Sequence, residues 1–263
     1  MQKITFEVCA GSYQDCLAAE KGGADRVELN SALSVGGLTP SLISLMRAKK
    51  ETSLKIVCMV RPRAGGFCYD ETEAQLMLEE AELLLEHGAD GIAFGFLKAD
   101  RTVDAEKTKK MVELIHVKGG EAVFHRAFDV TPEPAKAIET LIDCGVDRLL
   151  TSGQQAKASE GATLLAKLQN KYGDKIELLA GSGVNDGNVR ELMEKTDKVH
   201  ITGQGTDLTF SIKGMNAIKC SGHCNIPDGE IYTAPVKDSV EGVITYNTRS
   251  LHDGFTFENI CLK

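Results

Sequence analysis

The phrase GGADRVELN at residues 22–30 returns as HGADGIAFG at 87–95, as CGVDRLLTS at 144–152 and, degraded, as KTDKVHITG at 195–203. It sets a helix-ending glycine ahead of a turn aspartate and a short apolar run. That is how a helix stops in the left-handed conformation and hands over to a strand. The aspartates fall at 25, 90, 147 and 197, so the intervals are 65, 57 and 50 residues. Such intervals are too long for one helix and one strand and fit two of each. Further apolar runs at 4–9, 55–60, 122–127 and 176–180 each precede one copy of the phrase. Amphipathic stretches lie between the runs, for example ETEAQLMLEEAELLLEH at 71–87, with Leu and Ala three and four apart above a charged face.

Eight strands therefore alternate with seven helices. Parallel strands need right-handed crossovers and this many of them tend to close, so the pattern predicts an α/β chain folded as a (β/α)8 TIM-like barrel. An atypical C-terminal segment replaces the eighth helix. A doubly wound open sheet is the alternative, but no GxGxxG or GxxxxGK[ST] fingerprint follows the first strand. The expected organisation is a barrel over 1–203 and a separate segment over 204–263.

The composition narrows the partners. With 30 basic and 38 acidic residues among 263, the formal charge is −8, and no field exists to gather phosphate backbones at long range. Nucleic acid is not an expected partner. The start, MQKITFEVCAG, lacks the basic region and apolar run of a signal peptide, and no window approaches 18 consecutive apolar residues, so a cytoplasmic chain without a membrane partner is expected. Most of the eight cysteines sit in apolar strand or helix patterns, as buried free thiols do.

In a barrel the chemistry gathers where strands end and βα loops begin. Glu7 falls on the first strand, Glu28 at the end of the second, and Arg61 and Arg63 just past the third. His125, Arg126 and Asp129 surround the fifth, Thr151 and Ser152 close the sixth, Gly181 and Gly183 flank a turn after the seventh, and His200 lies on the eighth. Only the fourth, ending Phe94-Gly95-Phe96, is apolar. Any single charge there has a structural explanation, as a member of an ion pair inside the barrel. As a set, they point to a pocket for an anionic or polyhydroxy ligand. In that pocket Glu7, Glu28, His125 and Arg126 are the candidate catalytic groups, and Arg61, Arg63, Asp129, Ser152, Gly181 and Gly183 the candidate binding groups. Neighbouring strand residues face opposite ways, so one of His125 and Arg126 is expected to serve structure.

FEVCAG (6–11), GGADRVEL (22–29), GGLTPS (36–41), RPRAGGFCY (61–69), FHRAFD (124–129), LTSGQ (150–154) and AGSGV (180–184) occur in this order. In this they resemble the CutC family, barrel proteins named for copper homeostasis. The resemblance implies a cytoplasmic homo-oligomer that handles copper, with Cys9 as the candidate metal ligand. Cu(I) prefers soft ligands held close together. The cysteine that often follows the second strand's Glu-Leu in that family is here Asn30, so Cys9 would need Cys16, Cys58 or a methionine as partner. A barrel enzyme acting on a small phosphorylated or carboxylated metabolite is the competing reading.

The family pattern stops near residue 203. GTDLTFSIKGM (205–215) and CNIPDGEIYTAPVKDSVEGVITYNT (224–248) instead resemble an internal piece of the M29 metallo-aminopeptidases. That resemblance implies a metal-ligand role for Glu230, with the remaining ligands supplied by sequence beyond residue 263. One carboxylate does not make a dinuclear site, so peptidase activity is not expected. The runs 231–236 and 242–247 suggest a hairpin packed where an eighth helix would lie; a fused, partly ordered tail is the alternative. Cys220, His223 and Cys224 lack the second pair that a zinc finger would require.

Overall fold

The computed structural model describes residues 5–185 and 188, together with the backbone of short strands at 198–203, 206–211, 218–219, 231–232, 241–244 and 260–262. The chain separates into two compact units, one of residues 4–183 and one of 1–3 with 184–263.

The first unit is a TIM-barrel-like array in which parallel strands alternate with helices. Its strands are β1 (Glu7–Ala10), β2 (Arg26–Leu29), β3 (Lys55–Met59), β4 (Gly91–Phe94), β5 (Glu121–Phe124), β6 (Arg148–Thr151) and β7 (Glu177–Ala180), hydrogen-bonded in sequence order. Six helices return the chain: α1 (Tyr13–Lys21), α2 (Leu42–Glu51), α3 (Glu71–Glu86), α4 (Ala105–Val117), α5 (Pro134–Asp143) and α6 (Ala162–Tyr172). The sheet curls, because Arg26 on β2 reaches Glu177 on β7 at 2.7 Å.

The recurring phrase does what its residues require. Gly23, Gly88 and Gly145 hold φ of 80°, 96° and 80°, where a side chain would be strained. Each following aspartate then clips the preceding strand by its backbone N–H: Asp25 accepts from Phe6 at 3.0 Å, Asp90 from Ile56 at 2.7 Å and Asp147 from Ala122 at 2.7 Å. The phrase is thus a joint between successive strands as well as a helix stop. Helix starts are equally local. Asp70 and Glu73 form a reciprocal capping box on α3, and Ser12, Ser41 and Asp104 cap α1, α2 and α4.

Strand alternation divides the apolar residues between two layers. Leu29, Ile56, Cys58, Ile92, Phe94, Phe124 and Leu149 face the helices and join Cys16, Met77, Met111 and Ile115 in the main core. Val57, Met59, Ala93 and Val123, with Leu150 against them, fill the interior of the curl.

The eighth run departs from the expected position. Residues 198–203 do form a strand, β8, but it pairs antiparallel with β9 (Thr206–Ser211) in a sheet of order β13-β12-β9-β8, in which β12 is Glu241–Ile244 and β13 Ile260–Leu262. His200 is opposite Thr209 in that ladder rather than beside a parallel neighbour. The two runs expected to form one hairpin also part company. β11 (Ile231–Tyr232) pairs with β10 (Ile218–Lys219), whereas β12 pairs with β9 and β13. Among the described residues no helix is long and apolar enough to cross a membrane.

Candidate functional site

The two ends of the curled sheet carry charge in different ways. At the N-terminal end, the first residues of β1, β2, β3, β5, β6 and β7 form one charge network, three glutamates against two arginines and Lys55. Arg26 bonds Glu7 and Glu177, and Arg148 bonds Glu177 at 2.9 Å and Glu121 at 2.7 Å. Burial would raise the Glu177 carboxyl, but Arg148 and Arg26 outweigh it and hold it below the usual range. Glu7 belongs to this network. Its side chain is only 7% exposed and has Arg26 as counter-ion, so it lies a layer below the strand ends where a catalytic role was expected.

Two residues further along β2, Glu28 faces the interior beside Cys9. Its Oε1 accepts from Asn30 Nδ2 at 3.0 Å and lies 3.9 Å from Cys9 Sγ. Its Oε2 and the Asn30 Oδ1 are buried without a protein partner. Burial, then the negative charge of Glu7, pushes the Glu28 carboxyl up to about 7, while the Asn30 bond opposes the shift. Asn30 itself packs on Gly37, whose φ of 85° and lack of a Cβ admit the amide.

Gly37 leads directly to Arg61, the residue after Val60 at the end of β3. Arg61 is 6% exposed and donates to three backbone carbonyls, Val35 and Gly37 through Nη1 and Gly65 through Nη2, each at 3.0 Å. Among the described residues no carboxylate pairs with it, and its Nε–H has no acceptor. Phe67 bridges onward, its ring 5.2 Å from the Arg61 guanidinium and 5.1 Å from the His125 imidazole. His125 is 3% exposed. Its Nδ1 accepts from Ala127 N–H at 3.2 Å, so Nε2 carries the proton of the neutral ring, and that Nε2 has no acceptor. Burial, then Arg61, pushes its pKa down to about 3. Burial and the neighbouring Arg61 favour the neutral imidazole, which offers its Nε2–H as a donor.

β5 ends at Phe124, and residues 126–130 form a 3-10 turn capped by His125, so strand alternation does not apply to His125 and Arg126. Arg126 bonds Asp129 at 2.8 Å and Ser152 Oγ at 3.0 Å while 40% of its side chain stays exposed. Asp129 is an organiser. It accepts from the Thr151 hydroxyl, Ser152 N–H and Oγ–H, Gln154 N–H and Arg126, which uses up its oxygens and fixes the loop after β6.

The remaining candidates serve the frame. Arg63 bonds Glu73 at the start of α3 and the carbonyls of Gly66 and Cys68, with Tyr69 stacked on it, so it pins the 61–69 loop. Gly181 lies where a Cβ would strike Leu150, Gly183 has φ of 68°, and between them Ser182 bonds Ala156 and Ala158 in the adjoining loop. Sequence reasoning missed Phe67 and Gly95. A Cβ on Gly95 would stand 2.5 Å from the His125 ring, so the strand end read as apolar is the one that makes room for the imidazole.

Comparison with known proteins places the chain. The CutC family model matches residues 4–205. The chain belongs to the CutC family. The CutC family protein of Treponema denticola is 44% identical over 236 residues, covering 89% of this chain and 95% of its own length. That of Bacteroides fragilis strain YCH46 is 36% identical over 249 residues, covering 92% and 98%. The crystal structure of the CutC copper homeostasis protein of Streptococcus agalactiae superposes with a TM-score of 0.69 at 30% identity, over 74% of this chain and 95% of that one. A second model, the thermophilic metalloprotease M29 family, matches residues 185–263. Glu230, Cys220, His223 and Cys224 lie outside the described residues, as does the side chain of His200.

Copper is the metal that the CutC name implies, and the interior donors fit Cu(I) poorly. Cys16 and Cys58 belong to the main core on the outer face of the sheet, away from Cys9. Met59 is the one soft group of the interior cluster. Cys9 is exposed by surface area, yet the packing around its thiol, then Glu28, Glu7 and Asp15, pushes the pKa up to about 12, which disfavours the thiolate. Its hydrogen-bonding neighbours are a carboxylate and an amide, hard groups rather than soft ones.

Proposed function

We propose that this CutC-family chain is a barrel enzyme for a small anionic metabolite, with Arg61 and Arg126 holding charge and Glu28 moving a proton. The observation that carries the reading is Arg61. A guanidinium 6% exposed, satisfied by carbonyls yet without a carboxylate among the described residues, leaves a net positive charge in a low-dielectric site. Such a charge costs several kcal/mol, in order of magnitude, unless an anion offsets it. Glu28 supports the same reading, because a carboxyl with a pKa of about 7 exchanges protons readily at neutral pH.

Thermal-shift screening with carboxylated and phosphorylated metabolites tests this. At least one is expected to raise the Tm of the wild type, with the shift reduced in Arg126→Ala and in Arg61→Met but kept in part by Arg61→Lys. A panel that stabilises nothing, or a profile unchanged in both charge-removing variants, sinks the reading. Copper handling is the second reading, supported by the family name and by Cys9 on the interior face. Anaerobic Cu(I) titration with Cys9→Ala decides it: binding that is absent, or indifferent to the substitution, removes Cys9 as a ligand.

A further inference from the structure

The unpartnered groups at the strand ends differ in kind, and the difference specifies a reaction. Near Phe67 stand two buried donors without acceptors among the described residues, Arg61 Nε–H and His125 Nε2–H. At the end of β2 and just after it stand two buried acceptors without donors among the described residues, Glu28 Oε2 and Asn30 Oδ1. Gly37 joins the two sets, touching Asn30 on one side and accepting from Arg61 on the other. Donors for a carbonyl oxygen, together with a carboxylate acceptor for a proton, are the parts required to form an enolate.

We propose that the chain enolises a small carbonyl compound bearing an anionic group, with His125 and Arg61 on the carbonyl oxygen, Arg126 on the anion and Glu28 as base. This rests on the reading of the site as one for a small anion. In the step, the C–H bond next to the carbonyl breaks and its electron pair becomes the new C=C bond. The carbonyl π pair moves onto oxygen, and the proton passes to Glu28 Oε2. His125 and Arg61 keep their protons and hydrogen-bond the oxyanion. Reversal returns a proton, or a solvent deuteron, to the same carbon.

The arrangement suits that division of labour. A neutral imidazole donor is not lost to titration across the working pH range, because burial and Arg61 keep the ring uncharged. Its position is fixed by the Ala127 N–H on Nδ1 and by the space that Gly95 leaves beside the ring. Arg61 is held by three carbonyls, so its Nε–H needs no reorganisation when charge develops on the oxygen.

The test is solvent exchange. The full chain is incubated in D2O at neutral pD with pyruvate or dihydroxyacetone phosphate, and loss of the C–H signal next to the carbonyl is followed by proton NMR, with binding read separately by saturation transfer. Exchange is expected with at least one of the two. It should fall at least 100-fold in Glu28→Gln with binding retained, and at least 10-fold in His125→Phe. Glu28→Asp should keep part of the rate, and circular dichroism checks that each variant folds. Oxalate, a planar enolate mimic, should bind the wild type at least tenfold more tightly than pyruvate and lose that advantage in His125→Phe. Binding of either compound without exchange, or exchange indifferent to Glu28→Gln, overturns the enolisation proposal and leaves the anion site standing. Binding of neither overturns both.

Discussion

The two ends of one curled sheet hold their charges under opposite rules. At the N-terminal end, Glu7, Arg26, Glu121, Arg148 and Glu177 pair with one another and Glu121 also with Lys55, and among the described residues Arg148 Nη1 is the one buried atom of this network left over. At the C-terminal end, Glu28, Asn30, Arg61 and His125 are more than nine-tenths buried, and each keeps an unpartnered polar atom. Paired charge holds strands in register, whereas buried polar atoms left unpartnered among the described residues are what the proposed site rests on. The largest test of this contrast is Arg26→Met. It strands the Glu7 carboxylate, 7% exposed, without its counter-ion, and the expected loss is about 3–5 kcal/mol of stability by urea unfolding. A loss below about 1 kcal/mol would show that the N-terminal network is not holding the sheet, and the contrast would fail.

The matching substitution at the other end should act in the opposite direction. Glu28 has a folded pKa of about 7 against an ordinary 4.5, so the folded chain binds the extra proton between those values. A carboxyl raised in this way favours the fold below about 4.5, and its contribution declines as pH rises to 7. The gap corresponds to about 3 kcal/mol at 1.36 kcal/mol per pK unit. Glu28→Gln, which carries no charge at any pH, is therefore expected to gain up to about 3 kcal/mol over the wild type at pH 8 and to match it near pH 4.5. His125 works against this trend. Its folded pKa of about 3 lies below the ordinary 6.5, so its contribution is complete above 6.5 and lost as pH falls towards 3. Measuring Glu28→Gln against wild type at each pH cancels that background. A stability difference flat with pH would mean that Glu28 ionises normally.

Gly95→Ala is a smaller probe. The added methyl would stand 2.5 Å from His125 Cε1 and 2.9 Å from Ala127 Cβ, so the ring must move. Overpacking of that kind costs about 1–3 kcal/mol. The decisive readout is a loss of the ligand-induced Tm shift larger than the loss of stability explains. If ligand shifts survive unchanged, the imidazole position does not matter to binding.

The strands, their order and the helix stops were legible because each depends on neighbours in sequence: a left-handed glycine, an aspartate directly before its strand, a capping serine. What the phrase did not reveal is that Asp25, Asp90 and Asp147 also clip the preceding strand, a contact 19 to 34 residues long. The site was half legible. Glu28, Arg61 and His125 stood out as charges at strand ends, but so did Glu7, and a sequence cannot say at which height along a four-residue strand a carboxylate meets its partner. The roles of Arg63 and Asp129 were hidden for the same reason, since their acceptors and donors come from other loops. The direction of the His125 shift was not legible either, because an imidazole's ordinary pKa is near neutral and its burial beside Arg61 depends on the fold. The eighth strand was read as parallel because its apolar run fits the period, yet β9 takes its hydrogen bonds.

The subtlest prediction concerns one amide. Asn30 Nδ2 bonds Glu28 Oε1 at 3.0 Å and lies 3.6 Å from Cys9 Sγ, so it selects a hard, hydrogen-bonding environment for that end of the sheet. Asn30→Cys replaces it with a second thiol close to the first. Two adjacent sulfurs are a soft pair, and Cu(I) favours their thiolates despite the thiols' high proton affinity. The variant is expected to bind one Cu(I) per chain in anaerobic titration, with a loss of folding stability of about 1–3 kcal/mol from the broken buried hydrogen bond, while the wild type binds more weakly by at least tenfold. Losing the Asn30 bond also removes the one contact that lowers the Glu28 pKa, so proton release from Glu28 should move to higher pH. A wild type that already matches the variant's Cu(I) affinity would show that Cys9 finds a soft partner without residue 30. The C-terminal end of the sheet would then be a metal site before it is an acid–base site.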